Sequence, residues 1–168
     1  GANTYYRISE DRWLKGSQVA YFELRDPLDG VEEGEKWILV DLSNQTLEAY
    51  EGAMPVFVTL VSTGLADSEE TVTPTGEFRV TFKHITDDMA GSIGDGEEVY
   101  QVADVPWVQY VHKNIALHAA FWHSKYGRPQ SHGCVNLSPA DARFLFNWTE
   151  PTLFESWHGM SSTKQWPG

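Results

Sequence analysis

A mostly β domain with one short helix is the fold class that this sequence predicts. Three observations predict it. Apolar and polar residues alternate through many short runs, the period of half-buried strands. Pairs and clusters of Gly, Pro, Asn, Asp and Ser separate those runs. Apolar residues at helical spacing, preceded by a helix-start signal, occur convincingly in one place only.

Taken in order, the stretch YYRISEDRWLKGSQVAYFELRDP turns at Lys15 and Gly16 and alternates into Val19, Tyr21 and Phe22. It reads as one or two strands. The acidic linker DPLDGVEEGE follows. Residues 1–33 are thus a strand segment and linker, either the end of a preceding module or a strand packed on the main domain. Residues 34–150 form that main domain, and residues 151–168 a tail.

The main domain opens with a strand at 37–42, a turn at Ser43, Asn44 and Gln45, and a second strand at 46–50 with Leu47 and Ala49 on one face. Glu51 and Gly52 turn the chain into a third strand at 55–62. Short turns between successive strands give an antiparallel meander. Pro74 and Gly76 punctuate the next segment, and residues 77–82 alternate as a strand. HITDDMAGSIGDGEEV is polar and Gly-rich and reads as a loop long enough to be functional. Residues 105–111 and 115–118 are two further strands, joined onward by the irregular loop FWHSKYGRPQ. The helix begins after Ser138, a good N-cap. Pro139 suits the first helical position, Asp141 adds early negative charge, and Ala142, Leu145 and Phe146 form the apolar stripe.

The 168 residues suffice for a substantial core, and 41% are apolar and 13% aromatic. No run approaches the roughly 18 apolar residues that span a bilayer. The formal net charge of −12, with no Lys/Arg cluster, argues against a nucleic-acid partner.

The chain has a single cysteine, Cys134, so it makes no internal disulfide. A lone thiol is commonly a small buried hydrophobe. Its setting, SHGCVNLSPADA, suggests chemistry instead. Gly133 permits a sharp turn and close approach of backbone to substrate, so amides near Gly133 and Cys134 could face an oxyanion. A thiol nucleophile needs a base. His118 ends a predicted strand and could reach the thiol across a sheet. His132 is adjacent to the motif, but neighbours in extended chain face opposite ways, so it is the weaker base.

These residues resemble a known family. LHAAFWHSKYGRPQSHGCVNLSPADA is similar to the active-site segment of L,D-transpeptidases of the YkuD type, and VDLSNQTLEAYEG, VSTG, TPTGEF, MAGS and VPWVQYVHKNIALH resemble their other segments. The resemblance covers roughly residues 36–148. It implies a β-sandwich-like domain with a Cys-His site in a groove beneath a flap. It further implies that Cys134 attacks the L-centre carbonyl of a peptidoglycan stem tetrapeptide and releases D-alanine. An amine on a neighbouring stem, or water, would resolve the thioester. His118 would be the base, the carbonyl of Ala119 would orient it, and His132 and Gly133 would shape the loop and the oxyanion site. Ser131, Asn136, Trp122, Tyr110, Tyr100 and Met89 are the candidate substrate contacts. Asn136 stands where many members carry Arg, so a charge-assisted contact would be missing. Members are typically acylated by carbapenems, which requires a thiol that is exposed and partly ionised near neutral pH. The site requires no cofactor. The substrate lies outside the cytoplasmic membrane, so an export signal or membrane anchor is expected upstream of Gly1. The chain is read as a monomer. The alternatives are a cysteine hydrolase on the same scaffold and a catalytically silent wall-binding module.

His112, His118, His123, His132 and Cys134 could also suggest zinc. The spacing of His118 and His123 does not suit a helix, and no Cys-x-x-Cys occurs, so no metal is expected. Aromatics such as Trp107 and Trp122 are, as a class, more often core than groove. No role is assigned to His123.

Overall fold

The computed structural model describes residues 4–20, 22–93 and 98–163, side chains at 18, 92, 93 and 98–100 excepted. The described chain is mostly β with one short α-helix, the class expected. It divides into two compact units, Gly1–Leu60 and Val61–Gly168.

In the first unit, β1 (Tyr5–Arg7) and β2 (Trp13–Lys15) form an antiparallel hairpin followed by a single 3-10 turn at Gly16–Gln18. The alternation beyond it does not become a strand, and Tyr21 lies outside the described residues. Strands β3 (Lys36–Asp41), β4 (Thr46–Glu51) and β5 (Met54–Leu60) make the expected antiparallel meander. The Asp41 carboxylate holds the first turn by accepting the amides of Ser43 and Asn44 at 2.8 and 2.9 Å. Tyr50 is fully buried, stacks on Trp37 at 4.3 Å, and donates its hydroxyl to Glu48 at 2.8 Å.

The second unit is built on a five-stranded sheet. Its strands are β6 (Phe82–Ile93), β7 (Glu98–His112), β8 (Ile115–Ala119), β9 (Val135–Leu137) and β10 (Gly159–Ser161), in the order β10-β6-β7-β8-β9. Two expectations are corrected here. The Gly-rich stretch at 84–99 is mostly strand, because β6 runs through it to Ile93 and β7 resumes at Glu98. Cross-strand hydrogen bonds along this hairpin override the weak strand preference of its Gly and Asp residues. Residues 77–81, expected as strand, precede β6 without joining it.

Helix α1 (Pro139–Trp148) follows β9 directly. Ser138 caps it, accepting the Asp141 amide at 3.2 Å, and Ala142, Leu145 and Phe146 are its buried face. At the other end the helix has no basic residue of its own. Lys83, reaching from β6, supplies one. Its fully buried ammonium donates to the carbonyls of Phe146 at 2.5 Å and Thr149 at 2.8 Å. The carbonyl ends satisfy the charge, and the charge favours the negative end of the helix dipole. This packing pins α1, and with it β9, against the sheet.

Candidate active site

Strands β8 and β9 are the one parallel pair in the five-stranded sheet, with Leu117 opposite Val135 and His118 opposite Asn136. Side chains two apart on a strand share a face. His118, Ala116, Asn136 and Cys134 therefore share one face, and Cys134 sits at the mouth of β9. The sequence separation of 16 residues disappears because the chain leaves β8 just after His118 and re-enters the sheet just after Cys134.

His118 is 3% exposed. Its Nδ1 lies 3.0 Å from the carbonyl oxygen of Ala119, so Nδ1–H donates and Nε2 keeps the basic lone pair. Among the described residues Nε2 has no hydrogen-bond partner. Burial lowers the ring's pKa to about 4, opposed by the Ala119 bond and reinforced by His123. Cys134 retains some exposure, but close packing pushes its thiol up, opposed by the amide of Ala116. Both partners are thus neutral at rest, whereas a partly ionised thiol was expected. Desolvation of the charged forms is the reason. The thiol itself donates to the carbonyl of Asn114 at 3.6 Å.

A short segment, residues 61–65, holds the cysteine loop in place. Ser62 exchanges both backbone hydrogen bonds with Asn136, at 2.9 and 2.8 Å. Thr63 accepts from the amides of Gln130 and Ser131, the carbonyl of Val61 from Gly127, and the carbonyl of Ser131 from Leu65. Gly64 is essential to this approach, since a Cβ there would overlap the carbonyl oxygen of Thr71. Gly133 has φ of +113°, and a Cβ would lie 2.7 Å from Ile115 Cδ1. Sequence reasoning passed over Ser62, Thr63 and Gly64, although the VSTG motif was visible, because their contribution is made by backbone.

The other expected residues fall as follows. The hydroxyl of Ser131 accepts the Gly133 amide at 3.2 Å and donates to the Cys134 carbonyl, so it is occupied within the loop. His132 is half-buried between them. Met89 and Tyr110 pack with Cys134 against Val105, Val108 and Ala116. The Tyr110 hydroxyl donates to Asp87 at 2.9 Å, a carboxylate that also holds His84 at 3.0 Å. Trp122 is 43% exposed and lies over the His118 ring at 5.8 Å. Tyr100 pairs with Gly91 in the β6–β7 hairpin, its side chain lying outside the described residues. Asn136 is buried; its amide nitrogen is 3.1 Å from His123 Nε2, while its oxygen has no partner among the described residues. His123 thus has a place, holding Asn136 from the loop.

Residues 35–155 match the family model of the L,D-transpeptidase catalytic domain, YkuD. The chain belongs to this family. Among solved structures, the catalytic domain of the Enterococcus faecium L,D-transpeptidase is 28% identical, with a TM-score of 0.60, over 71% of this chain and 94% of that one. The same catalytic domain acylated by ertapenem is 25% identical, with a TM-score of 0.58, over 77% of this chain and 98% of that one. The L,D-transpeptidase from Mycobacterium smegmatis shares the fold, at 24% identity and a TM-score of 0.61, over 68% of this chain and 54% of that one. The chain spans about half the length of the longer transpeptidases that it matches. No curated protein matches it.

The family acts on peptidoglycan peptides in the cell wall. Among the described residues of this L,D-transpeptidase domain, no helix is long and apolar enough to cross a membrane.

The buried neutral histidine has a consequence for stability. The unfolded chain takes up a proton near pH 6.5, while folded His118 resists it down to about pH 4. The unfolded state therefore binds more protons in that window, and stability falls as pH falls through it. The full loss is about 3 kcal/mol. Urea unfolding of the wild type and of His118→Leu, compared at pH 7 and pH 4.5, should show a steeper decline in the wild type. Equal declines would mean that His118 titrates normally.

Proposed function

We propose that this domain is a peptidoglycan L,D-transpeptidase, with residues 34–150 as its catalytic part. The observation that carries this reading is the disposition of His118. Its Nδ1 is held by the carbonyl of Ala119, and its Nε2 is left as a base on the strand beside Cys134.

The acyl donor is a stem tetrapeptide. The Cys134 sulfur bonds to the carbonyl carbon of the L-configured third residue while the thiol proton passes to His118 Nε2. The amide C–N bond then breaks, and D-alanine leaves with that proton. The thioester is resolved by an amine of a neighbouring stem, whose proton His118 takes in turn. His132 and Gly133 shape the turn that presents the thiol. Trp122, Tyr110 and Met89 wall the acyl-donor side. The open end of the Asn136 amide meets a polar group of the donor, and Ser131 acts on the substrate through the shape of its loop. The protein works outside the cytoplasmic membrane, as a monomer and without a cofactor.

The test is product analysis on purified muropeptides. Mass spectrometry should find a 3-3 cross-linked dimer and free D-alanine when an amine acceptor stem is present. Release of D-alanine without dimer, at any acceptor concentration, would assign a carboxypeptidase instead. Neither product from folded protein would sink the enzyme reading.

A further inference from the structure

We infer that Thr73 is a positioning residue for the oxyanion site, setting the direction of the Cys134 amide hydrogen. The inference builds on the reading of Cys134 as an acylated nucleophile.

The argument starts from which donors the loop has to spare. The Gly133 amide, a natural candidate, is taken by the Ser131 hydroxyl at 3.2 Å. The Cys134 amide meets no acceptor among the described residues. An unpaired amide beside a nucleophile is an unusual thing to keep, since nearly all buried backbone donors find partners. It is also what an oxyanion site requires.

What aims that amide is the peptide unit joining Gly133 to Cys134. In a trans peptide the carbonyl and the next N–H point in opposite directions. The Gly133 carbonyl is held by Thr73, whose buried hydroxyl donates to it at 2.8 Å. That hydroxyl is itself fixed, because it accepts the Gly64 amide at 2.8 Å. Gly64 lies close against the backbone of Thr71, Thr73 and Gly133, leaving no room even for a Cβ. The plane of the peptide is therefore locked from the carbonyl side, and the Cys134 N–H is turned away from Thr73. Gly133, at φ +113°, would be free to rotate this plane without the hydroxyl. Thr73 touches no reacting atom and acts through the backbone.

The test uses two probes of the same sulfur. Para-nitrophenyl acetate acylates it: the S–C bond forms at the ester carbonyl, the thiol proton goes to His118, and p-nitrophenolate leaves. That path develops an oxyanion. Iodoacetamide alkylates the sulfur by displacing iodide and develops none. Thr73→Val removes the hydroxyl at similar volume, and Thr73→Ser keeps it. Acylation should fall roughly 10- to 100-fold in Thr73→Val, less than the roughly 100- to 1,000-fold loss of an oxyanion donor outright, alkylation should stay within about 2-fold, and Thr73→Ser should restore acylation. Where valine disturbs the packing, Thr73→Ala gives the same contrast. Equal loss with both probes would reduce Thr73 to a support of the fold, and no loss with either would remove it from the site. Both results overturn the inference. If the Thr73 variants show the probe contrast while the wild type turns over no muropeptide, only the transpeptidase reading is overturned.

Discussion

Incubation of the intact domain with excess carbapenem should yield a single covalent adduct on Cys134, and Cys134→Ala should yield none. The drug's strained lactam carbonyl offers the same kind of carbon as a scissile amide. The thiol adds to it, the lactam C–N bond opens, and the ring nitrogen takes the proton. Nothing leaves, so the mass gain equals the whole drug. Cys134 is the single sulfur nucleophile in the sequence, so the loss on substitution is complete. The reaction needs an accessible thiol, which the partial exposure of Cys134 provides, and a base, the role proposed for His118. Intact-mass measurement after an hour, followed by peptide mapping, checks it. Folded wild type of unchanged mass would mean that Cys134 is a structural thiol.

Substituting His118 with alanine should slow that acylation by about 100-fold or more between pH 6 and 8, the scale of a lost general base. The thiol's own pKa is pushed up by its packing, so without a proton acceptor little thiolate forms near neutrality. The rate in His118→Ala should therefore climb steadily as the solution becomes alkaline. In the wild type His118 remains unprotonated down to about pH 4, so the base is available throughout the neutral range. His118→Gln, which fills more of the space, should be as slow as the alanine variant. Acylation of either variant at the wild-type rate at pH 7 would assign the base elsewhere, His132 being the next histidine in reach by sequence.

Much of this architecture can be read from side chains alone. Period-two alternation marks β3 to β5, and the Ser138, Pro139 and Asp141 signals mark the start of α1, because these are local preferences. The motif around Cys134 and the histidine at the end of β8 were equally legible. The long β6–β7 hairpin was not, since its strand character comes from pairing between distant residues, against local Gly and Asp content. The parallel register of β8 with β9 is likewise non-local. Thr73, Ser62 and Gly64 escaped notice for another reason. They act on main-chain atoms, and a residue pattern carries little trace of which carbonyl or amide a side chain will hold. The neutrality of the His118–Cys134 pair depends on burial, which exists only once the chain is folded.

The parallel pairing of β8 and β9 also separates precision from variety. His118 and Cys134 are held by ladder hydrogen bonds and by the backbone of residues 61–65, none of which consults the side chains of the crossover. Phe121 and Trp122, on the outward part of that crossover, are largely exposed and set no strand register. The crossover's exposed side chains can be rewritten so long as Trp122 stays on the His118 ring and His123 on Asn136. For a protein engineer, the domain is a fixed acyl-transfer head with an exchangeable visor. New acceptors should be sought by varying Phe121, Ser124 and Lys125, while 61–64, 73, 118, 122, 123 and 131–136 are left untouched.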